Sequence, residues 1–78
     1  MTVIVVNNSN RQIKVSLPKI DPNDNSHFFQ IDSAGRESWD RGDVVAFVVG
    51  APFTTKKMPK VYFIAGNETL IIEDGDLD

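Results

Sequence analysis

The 78-residue sequence predicts one all-β domain spanning residues 1–78, an antiparallel β-sandwich of about six to seven short strands. Three observations support this fold class. Apolar and polar residues alternate with a period of two along most of the chain, clusters of Gly, Pro, Asn, Asp and Ser separate the alternating segments, and no stretch of ten or more residues has helical spacing. The apolar fraction of 41% is typical of a folded domain.

The first two strands are predicted from the segments TVIVV and RQIKVSL. In the second segment Ile13, Val15 and Leu17 alternate with polar residues, as expected for a strand with one face in water. The NNSN between them contains residues that tolerate left-handed backbone and bond their own main chain, so the sequence predicts a hairpin. The following PKIDPNDNS, with its two prolines, is predicted to be a loop.

The remaining strands follow the same signals. HFFQI and RESWD are predicted as an antiparallel pair joined by DSAG, where Gly35 would supply a positive φ. DVVAFVV is apolar on both faces, which indicates either a central strand or an interface. After the long loop GAPFTTKKMP, the segments KVYFIA and ETLIIED are predicted to form a last hairpin around GN, and the acidic tail DGDLD is expected to fray.

The expected core takes the alternate apolar residues of each strand. A slip of one residue within TVIVV or DVVAFVV would exchange the two faces of that strand. The predicted core residues are Val3, Val5, Ile13, Val15, Phe29, Ile31, Val45, Phe47, Val61, Phe63, Leu70 and Ile72.

The composition argues against several classes of function. A net charge of -3 and scattered Lys and Arg residues disfavour a nucleic-acid partner. The chain has no cysteine and one histidine, so we expect neither a disulfide framework nor a zinc site. The N-terminal MTVIVVNNSN lacks the basic and long apolar regions of a signal peptide. We therefore expect a cytoplasmic protein, and release by a route without a signal peptide is left open.

No catalytic residue, metal site or cofactor is predicted. His27 has no cysteine to activate, and no serine stands in an elbow such as G-x-S-x-G, so a solvent-facing histidine at a strand end is the expected role. Paired carboxylates such as Asp21 and Asp24 have no predicted pocket around them. The oxygen-rich segments DPNDN and EDGDLD leave a calcium site as an alternative, although neither fits an EF-hand loop. The sequence thus favours a non-enzymatic protein.

The candidate binding site is the segment ESWDRGD, which holds the only tryptophan. An aromatic ring beside carboxylates suits a sugar, because the ring stacks on a pyranose face while polar groups bond the hydroxyls. Trp39 is equally open to interpretation as a core residue, since its large area would dominate burial. The triplet Arg41–Gly42–Asp43 matches an integrin ligand, but it is interpreted as a turn. The predicted ligand-binding residues are Arg36, Trp39, Asp40, Arg41 and Asp43.

The segments VVNNSNRQIKVSL, FQI, AGRESWDR, VAFVV, VYF and ETLIIED resemble short, cysteine-free β-sandwich proteins of mushroom-forming fungi. The Gly-Arg step after the mid-chain strand adds a looser similarity to aegerolysins, which are small fungal β-sandwich proteins that bind membrane lipids. These resemblances imply a fungal recognition protein with a defensive role, of the kind that includes lectins and lipid binders. Together with the candidate site, this favours a lectin-like, carbohydrate-binding protein, with a membrane-lipid-binding protein as the alternative.

Three kinds of partner therefore compete. A glycan would bind at ESWDRGD, whereas a lipid headgroup would need Phe53, Tyr62 and Trp39 on one exposed rim. Loop 51–59, with Phe53 and Met58 around two lysines, also suits a membrane surface. Another protein would be indicated by a flat apolar patch or an unpaired edge strand. The apolar surface of TVIVV, DVVAFVV and VYFIA exceeds what one small domain can cover, which predicts a homo-oligomer, most simply a two-fold dimer.

Overall fold

The structure of the chain, a computed structural model, describes residues 1–17, 28–54 and 56–77. The described residues form seven strands, and a single turn of 3₁₀-helix, Asp74–Leu77, follows the last of them. The predicted all-β class is confirmed, whereas the predicted loop PKIDPNDNS and His27 lie outside the described residues. No helix in the described part of the chain is long and apolar enough to cross a membrane. The strands are β1 Val3–Asn7, β2 Ile13–Ser16, β3 Phe29–Ile31, β4 Arg36–Trp39, β5 Val44–Gly50, β6 Lys60–Ile64 and β7 Thr69–Ile72.

The strands are arranged in two sheets. Sheet A has the strand order β4–β1–β7, and sheet B has the order β3–β2–β5–β6. All three neighbouring pairs of sheet B are antiparallel, whereas β1 in sheet A is antiparallel to β4 and parallel to β7. The predicted antiparallel character therefore holds for the described strand pairs except β1 with β7.

The three predicted hairpins are wrong, because each short turn carries the chain from one sheet to the other. NNSN connects β1 with β2, DSAG connects β3 with β4, and GN connects β6 with β7. Within DSAG the residue with positive φ is Ala34, at 66°, and not Gly35. Gly35 provides space instead, since a Cβ there would lie 3.0 Å from the carbonyl oxygen of Asp32.

Residues of both sheets form one hydrophobic core, which is the basis of any two-layer β-fold. The predicted core positions of β1 and β2 are confirmed, as are Ile31 and Ile72, and Leu70 packs against the core. The buried apolar residues are Val3, Val5, Ile13, Val15, Leu17, Ile31, Ala46, Val48, Ile64, Ile72 and Leu77.

The predicted phase of β5 and β6 is wrong by one residue. Ala46, Val48 and Ile64 are the buried residues, whereas Val61 and Phe63 are 60% and 72% exposed. Because β5 is apolar at nearly every position, its alternation could not decide which face turns inward. Leu70 is partly buried against the core, and the predicted core residues that lie outside it are Phe29, Val45, Phe47, Val61 and Phe63.

Asn7 holds the corner between β1 and β2 together and is fully buried. Its Nδ2 donates hydrogen bonds to the carbonyl oxygens of Arg11 at 2.7 Å and Ile31 at 3.0 Å. Its Oδ1 accepts from the backbone N–H of Ser9 at 3.1 Å and from the Ser9 hydroxyl at 2.5 Å. The Asn7 side chain therefore supplies hydrogen-bond partners to backbone groups at this corner, in place of a neighbouring strand.

The acidic tail, which was expected to fray, is instead the docked 3₁₀ turn. Leu77 is buried against Gly50, so closely that a Cβ at Gly50 would lie 2.8 Å from the Leu77 Cδ1. The Asp74 carboxylate accepts hydrogen bonds from the backbone N–H and the Nδ2 of Asn10, at 3.0 and 3.1 Å. The prediction failed because one apolar residue, Leu77, is enough to anchor the turn.

Candidate functional site

The predicted glycan-binding residues lie on β4 and on its connection to β5. The register places Trp39 opposite Val3 and Arg36 opposite Val6. Because successive side chains of a strand point to opposite faces, Trp39 shares the core face with Val3, and Arg36 points to the other face. The structure therefore does not bring Arg36 and Trp39 to one surface.

Trp39 is half-buried and packs against the hydrophobic core. Its ring centre lies 5.9 Å from that of Phe29, at an interplanar angle of 65°. This edge-to-face geometry is favourable for two aromatic rings. The pair joins two edge strands, β3 of sheet B and β4 of sheet A. Because Phe29 is exposed, the pair also presents aromatic surface to solvent.

The charged members of the predicted site have different roles. The Arg41 guanidinium donates a hydrogen bond to the carbonyl oxygen of Leu17, and the Asp43 carboxylate accepts one from the N–H of Gly66 at 2.8 Å. Asp40 has a side chain that is 95% exposed and lies 3.8 Å from the N-terminal amine. Arg41 and Asp43 thus anchor connections between strands, whereas the Asp40 carboxylate, next to Trp39 in sequence, is open to a ligand.

The described residues contain no group of three or more His, Asp or Glu side chains placed to hold a metal ion. The surface of these described residues also contains two open grooves. One is lined by Ile4 and β4 residues, and the other by the end of β5, Lys57, Met58, Lys60 and Leu77. The segment DPNDN, considered for calcium, lies outside the described residues. Open surfaces are therefore the candidate sites.

An apolar surface lies on the side of sheet B that faces away from the core. Ala46 and Val48 point inward, so the residues that alternate with them point outward. The register places Val45 opposite Phe63 and Phe47 opposite Val61 across the β5–β6 pair. We call this surface the β5–β6 face, and it consists of Val45, Phe47, Val49, Val61 and Phe63.

Exposure on the β5–β6 face is greatest at the edge of the sheet. Phe47 and Val49 are half-buried, whereas Val61 and Phe63 on β6 are mostly exposed. One side of β6 pairs with β5, and its other side has no strand partner among the described residues. Exposed apolar edge strands invite pairing with another chain, and soluble proteins usually blunt or cover them.

Basic and aromatic residues border the β5–β6 face. On the β2 side the Lys14 Nζ lies 4.4 Å from the centre of the Phe53 ring, which is a cation–π contact. The loop before β6 contributes Lys56, Lys57 and the exposed Met58. The apolar surface is therefore open toward β6 and bordered by positive charge where β6 begins.

The three aromatic residues predicted to share a lipid-binding rim lie on different parts of the molecule. Phe53 covers Lys14, Trp39 lies at the edge of sheet A, and Tyr62 shares the inward face of sheet B with Ala46. Burial, and secondly the Asp76 carboxylate, raise the pKa of the Tyr62 hydroxyl above its ordinary value of 10.0. The phenol is thus neutral at pH 7.

The sequence indicated the part of the β5–β6 face that β5 contributes, but not the part that β6 contributes. The apolar character of DVVAFVV on both faces indicated a central strand or an interface, and β5 is internal to sheet B with an outward apolar side. Val61 and Phe63 were missed because the alternation in KVYFIA fits either phase. No protein-family model, curated protein or solved structure matches the chain. Its candidate site is therefore assigned from its own residues.

Proposed function

We propose that the chain is a non-enzymatic β-sandwich domain that binds another polypeptide through the outer edge of β6 and the neighbouring apolar residues of the β5–β6 face. One observation supports this function most directly: the exposed side chains of Val61 and Phe63 lie on a strand whose outer side pairs with no other strand of the described residues. A strand placed beside β6 would pair with its main chain, and the side chains of that strand would pack laterally against Val61 and Phe63. Both features were the expected marks of a protein partner.

A polypeptide fits this surface better than a lipid bilayer does. A bilayer offers no strand to pair with the main-chain donors and acceptors of β6, whereas a polypeptide does. The net charge of -3 also opposes attraction to anionic lipid. The lysines near the start of β6 form only a small positive region, and such a region suits carboxylates on a partner chain.

Binding can be tested with synthetic nine-residue peptides in which apolar and polar residues alternate, and with scrambled versions of the same composition. We expect the alternating peptides to shift the amide NMR resonances of residues 44–48 and 60–64. The Phe63→Glu change should weaken binding at least tenfold, because it places a charge at the centre of the contact. Phe63 is largely exposed, so this change should leave the fold intact.

The matched control is Ile71→Glu, since Ile71 is 54% exposed on the edge strand β7 of sheet A. This variant should bind the peptides as the unchanged chain does. In a sample that sedimentation shows to be monomeric, the absence of any shift at about 1 mM peptide, or equal binding by Phe63→Glu, would contradict the proposed function. Binding to anionic vesicles that Phe63→Glu abolishes, without peptide binding, would assign the surface to lipid instead.

A glycan is the second candidate ligand, and the pair Trp39–Phe29 beside the exposed Asp40 favours it. The aromatic surface would stack on the apolar face of a sugar ring, and the Asp40 carboxylate would accept hydrogen bonds from its hydroxyls. Arg36 lies on the opposite face of β4, while Arg41 and Asp43 already bind the main chain. In this proposal the contacting residues are therefore Phe29, Trp39 and Asp40.

A glycan array followed by titration of Trp39 fluorescence tests this second function. We expect dissociation constants from about millimolar to micromolar for so open a site. The Asp40→Ala change should weaken binding at least tenfold without loss of stability, whereas Asp32→Ala, at another exposed aspartate, should not. An array without signal, or a titration in which Asp40→Ala binds equally well, would exclude a glycan at this position.

A further inference from the structure

We infer that the polypeptide paired with the outer edge of β6 is a second copy of this chain, with the two β6 strands antiparallel about a two-fold axis. This inference rests on the proposed function and identifies its partner. The pairing would join two four-stranded sheets into one continuous sheet across the dimer.

Among the described strands, β6 is the edge best suited to such pairing. The other edges are β3, β4 and β7. β3 has only three residues, and β4 carries Arg36 and Glu37, charges of the kind that prevent strand addition. β7 has four residues, whereas β6 has five and exposes both Val61 and Phe63. The longest edge is therefore also the most apolar one.

The apolar side chains of β6 match those of a second β6. When Tyr62 lies on the two-fold axis, Val61 of each copy stands opposite Phe63 of the other. Both side chains point outward from sheet B. The junction would then contain two pairs of an aromatic with a β-branched residue, a combination that stabilises neighbouring strands.

The charges near the two ends of β6 have opposite signs. Lys56, Lys57 and Lys60 lie at its beginning. The carboxylates of Asp43 and Glu68 bond the N–H groups of Gly66 and Ala65, in the turn that follows it. In an antiparallel pair the basic end of each strand faces the acidic turn of the other copy. A parallel pair would bring like charges together, so the charges select the antiparallel orientation.

The size of the contact predicts a reversible dimer. Stable interfaces bury about 800 Å² on each partner, which is roughly one sixth of the 5155 Å² that this chain exposes. The pairing of one five-residue strand covers less than this. We therefore expect a dissociation constant on the order of micromolar.

Sedimentation velocity between about 1 μM and 1 mM tests the inference. The unchanged chain should pass from monomer to dimer over this range, and added salt should shift the transition to higher concentration. The Phe63→Glu change should raise the dissociation constant at least tenfold. Ile71→Glu, the matched control on β7, should dimerise normally. Circular dichroism and urea unfolding serve as the control that both variants are folded.

Because the chain has no cysteine, disulfide trapping can test the register. An oxidised mixture of Val61→Cys and Phe63→Cys chains should form a mixed disulfide in preference to either homodimer, since the two positions face each other across the axis. Thr69→Cys, exposed on β7, should form none above the background of random collision. Equal yields for all three variants would overturn the proposed register.

A chain that is monomeric at about 1 mM overturns the second-copy partner. The peptide experiment then decides the proposed function separately: peptide binding lost in Phe63→Glu leaves a different polypeptide as the partner, and absence of binding overturns both proposals. A dimer that persists in Phe63→Glu and disappears in Ile71→Glu places the interface on β7, which also contradicts the inference.

Discussion

Replacing Asn7 with alanine is expected to lower the free energy of unfolding by about 3–5 kcal/mol, a large part of the stability of so small a domain. The buried side chain donates to the carbonyl oxygens of Arg11 and Ile31 and accepts from Ser9. Each buried polar group left without a partner costs about 1–3 kcal/mol, and several are affected at once. Urea unfolding followed by the fluorescence of Trp39 measures the change.

The neighbouring Asn8→Ala is the matched control. Asn8 is exposed, and its Nδ2 lies 3.5 Å from the Glu73 Oε1, which is a long contact. Its removal should change stability by less than about 0.5 kcal/mol. Asn7→Asp should be more destabilising at pH 7 than near the ordinary aspartate pKa of about 4, because burial opposes the ionised carboxylate. Similar urea midpoints for Asn7→Ala and Asn8→Ala would show that Asn7 does not hold this corner.

Leu77→Ala is expected to cost about 2–5 kcal/mol, because it leaves a cavity where the 3₁₀ turn docks. Gly50→Ala should cost about 1–3 kcal/mol, since its Cβ would lie 2.8 Å from Cδ1 and 2.9 Å from Cδ2 of Leu77. The two changes affect one contact, and the new methyl group partly fills the space that Leu77 vacates. The double variant should therefore be more stable than the sum of the single effects predicts, by about 1 kcal/mol or more.

Gly75→Ala controls for the effect of alanine in the same turn. A Cβ at Gly75 would meet no atom within 4 Å, so the change should be within about 0.5 kcal/mol of neutral. Thermal or urea unfolding of the four variants completes the comparison. Strictly additive effects of Gly50→Ala and Leu77→Ala would mean that these residues do not touch, and the docked position of the turn would be wrong.

The positions of the strands were predictable because each alternating segment is bounded by turn residues. All seven predicted segments, from TVIVV to ETLIIED, contain or overlap a strand of the structure. The inward phase of β2 was also predictable, because polar residues occupy the other face of RQIKVSL. TVIVV has no such polar face, so its alternation did not determine the inward phase of β1, although the predicted phase is the one observed. Regular alternation thus carries enough information for the elements and for part of the core.

Strand pairing was not predictable from the same signals. Short polar turns such as NNSN and DSAG reverse the chain, and the residues that favour a reversal within one sheet also favour one between sheets. At the first corner the choice depends on Asn7, which bonds the Ile31 carbonyl 24 residues away. A contact at that distance leaves no local pattern in the sequence.

The structure brings the predicted glycan-binding residues together only in part, for a related reason. The five glycan-binding residues were chosen because they are close in sequence, but alternation along β4 places Arg36 and Trp39 on opposite faces. The β5–β6 face was hidden because both phases of β6 are apolar, and the wrong phase placed Val61 and Phe63 in the core. Only the assembled sheet shows which of these side chains meet solvent.

The central position of β1 in sheet A has a consequence for the rate of folding. Its ladders join Val6 with Arg36 and Ile4 with Thr69, so sheet A contains no pair of strands that are neighbours in sequence. Long loops must close before these ladders contribute stability, and their entropy slows the search. We therefore expect folding on the order of milliseconds to seconds, and one main-chain edge of β1 stays without its native partner in a nascent chain until β7 has been synthesised.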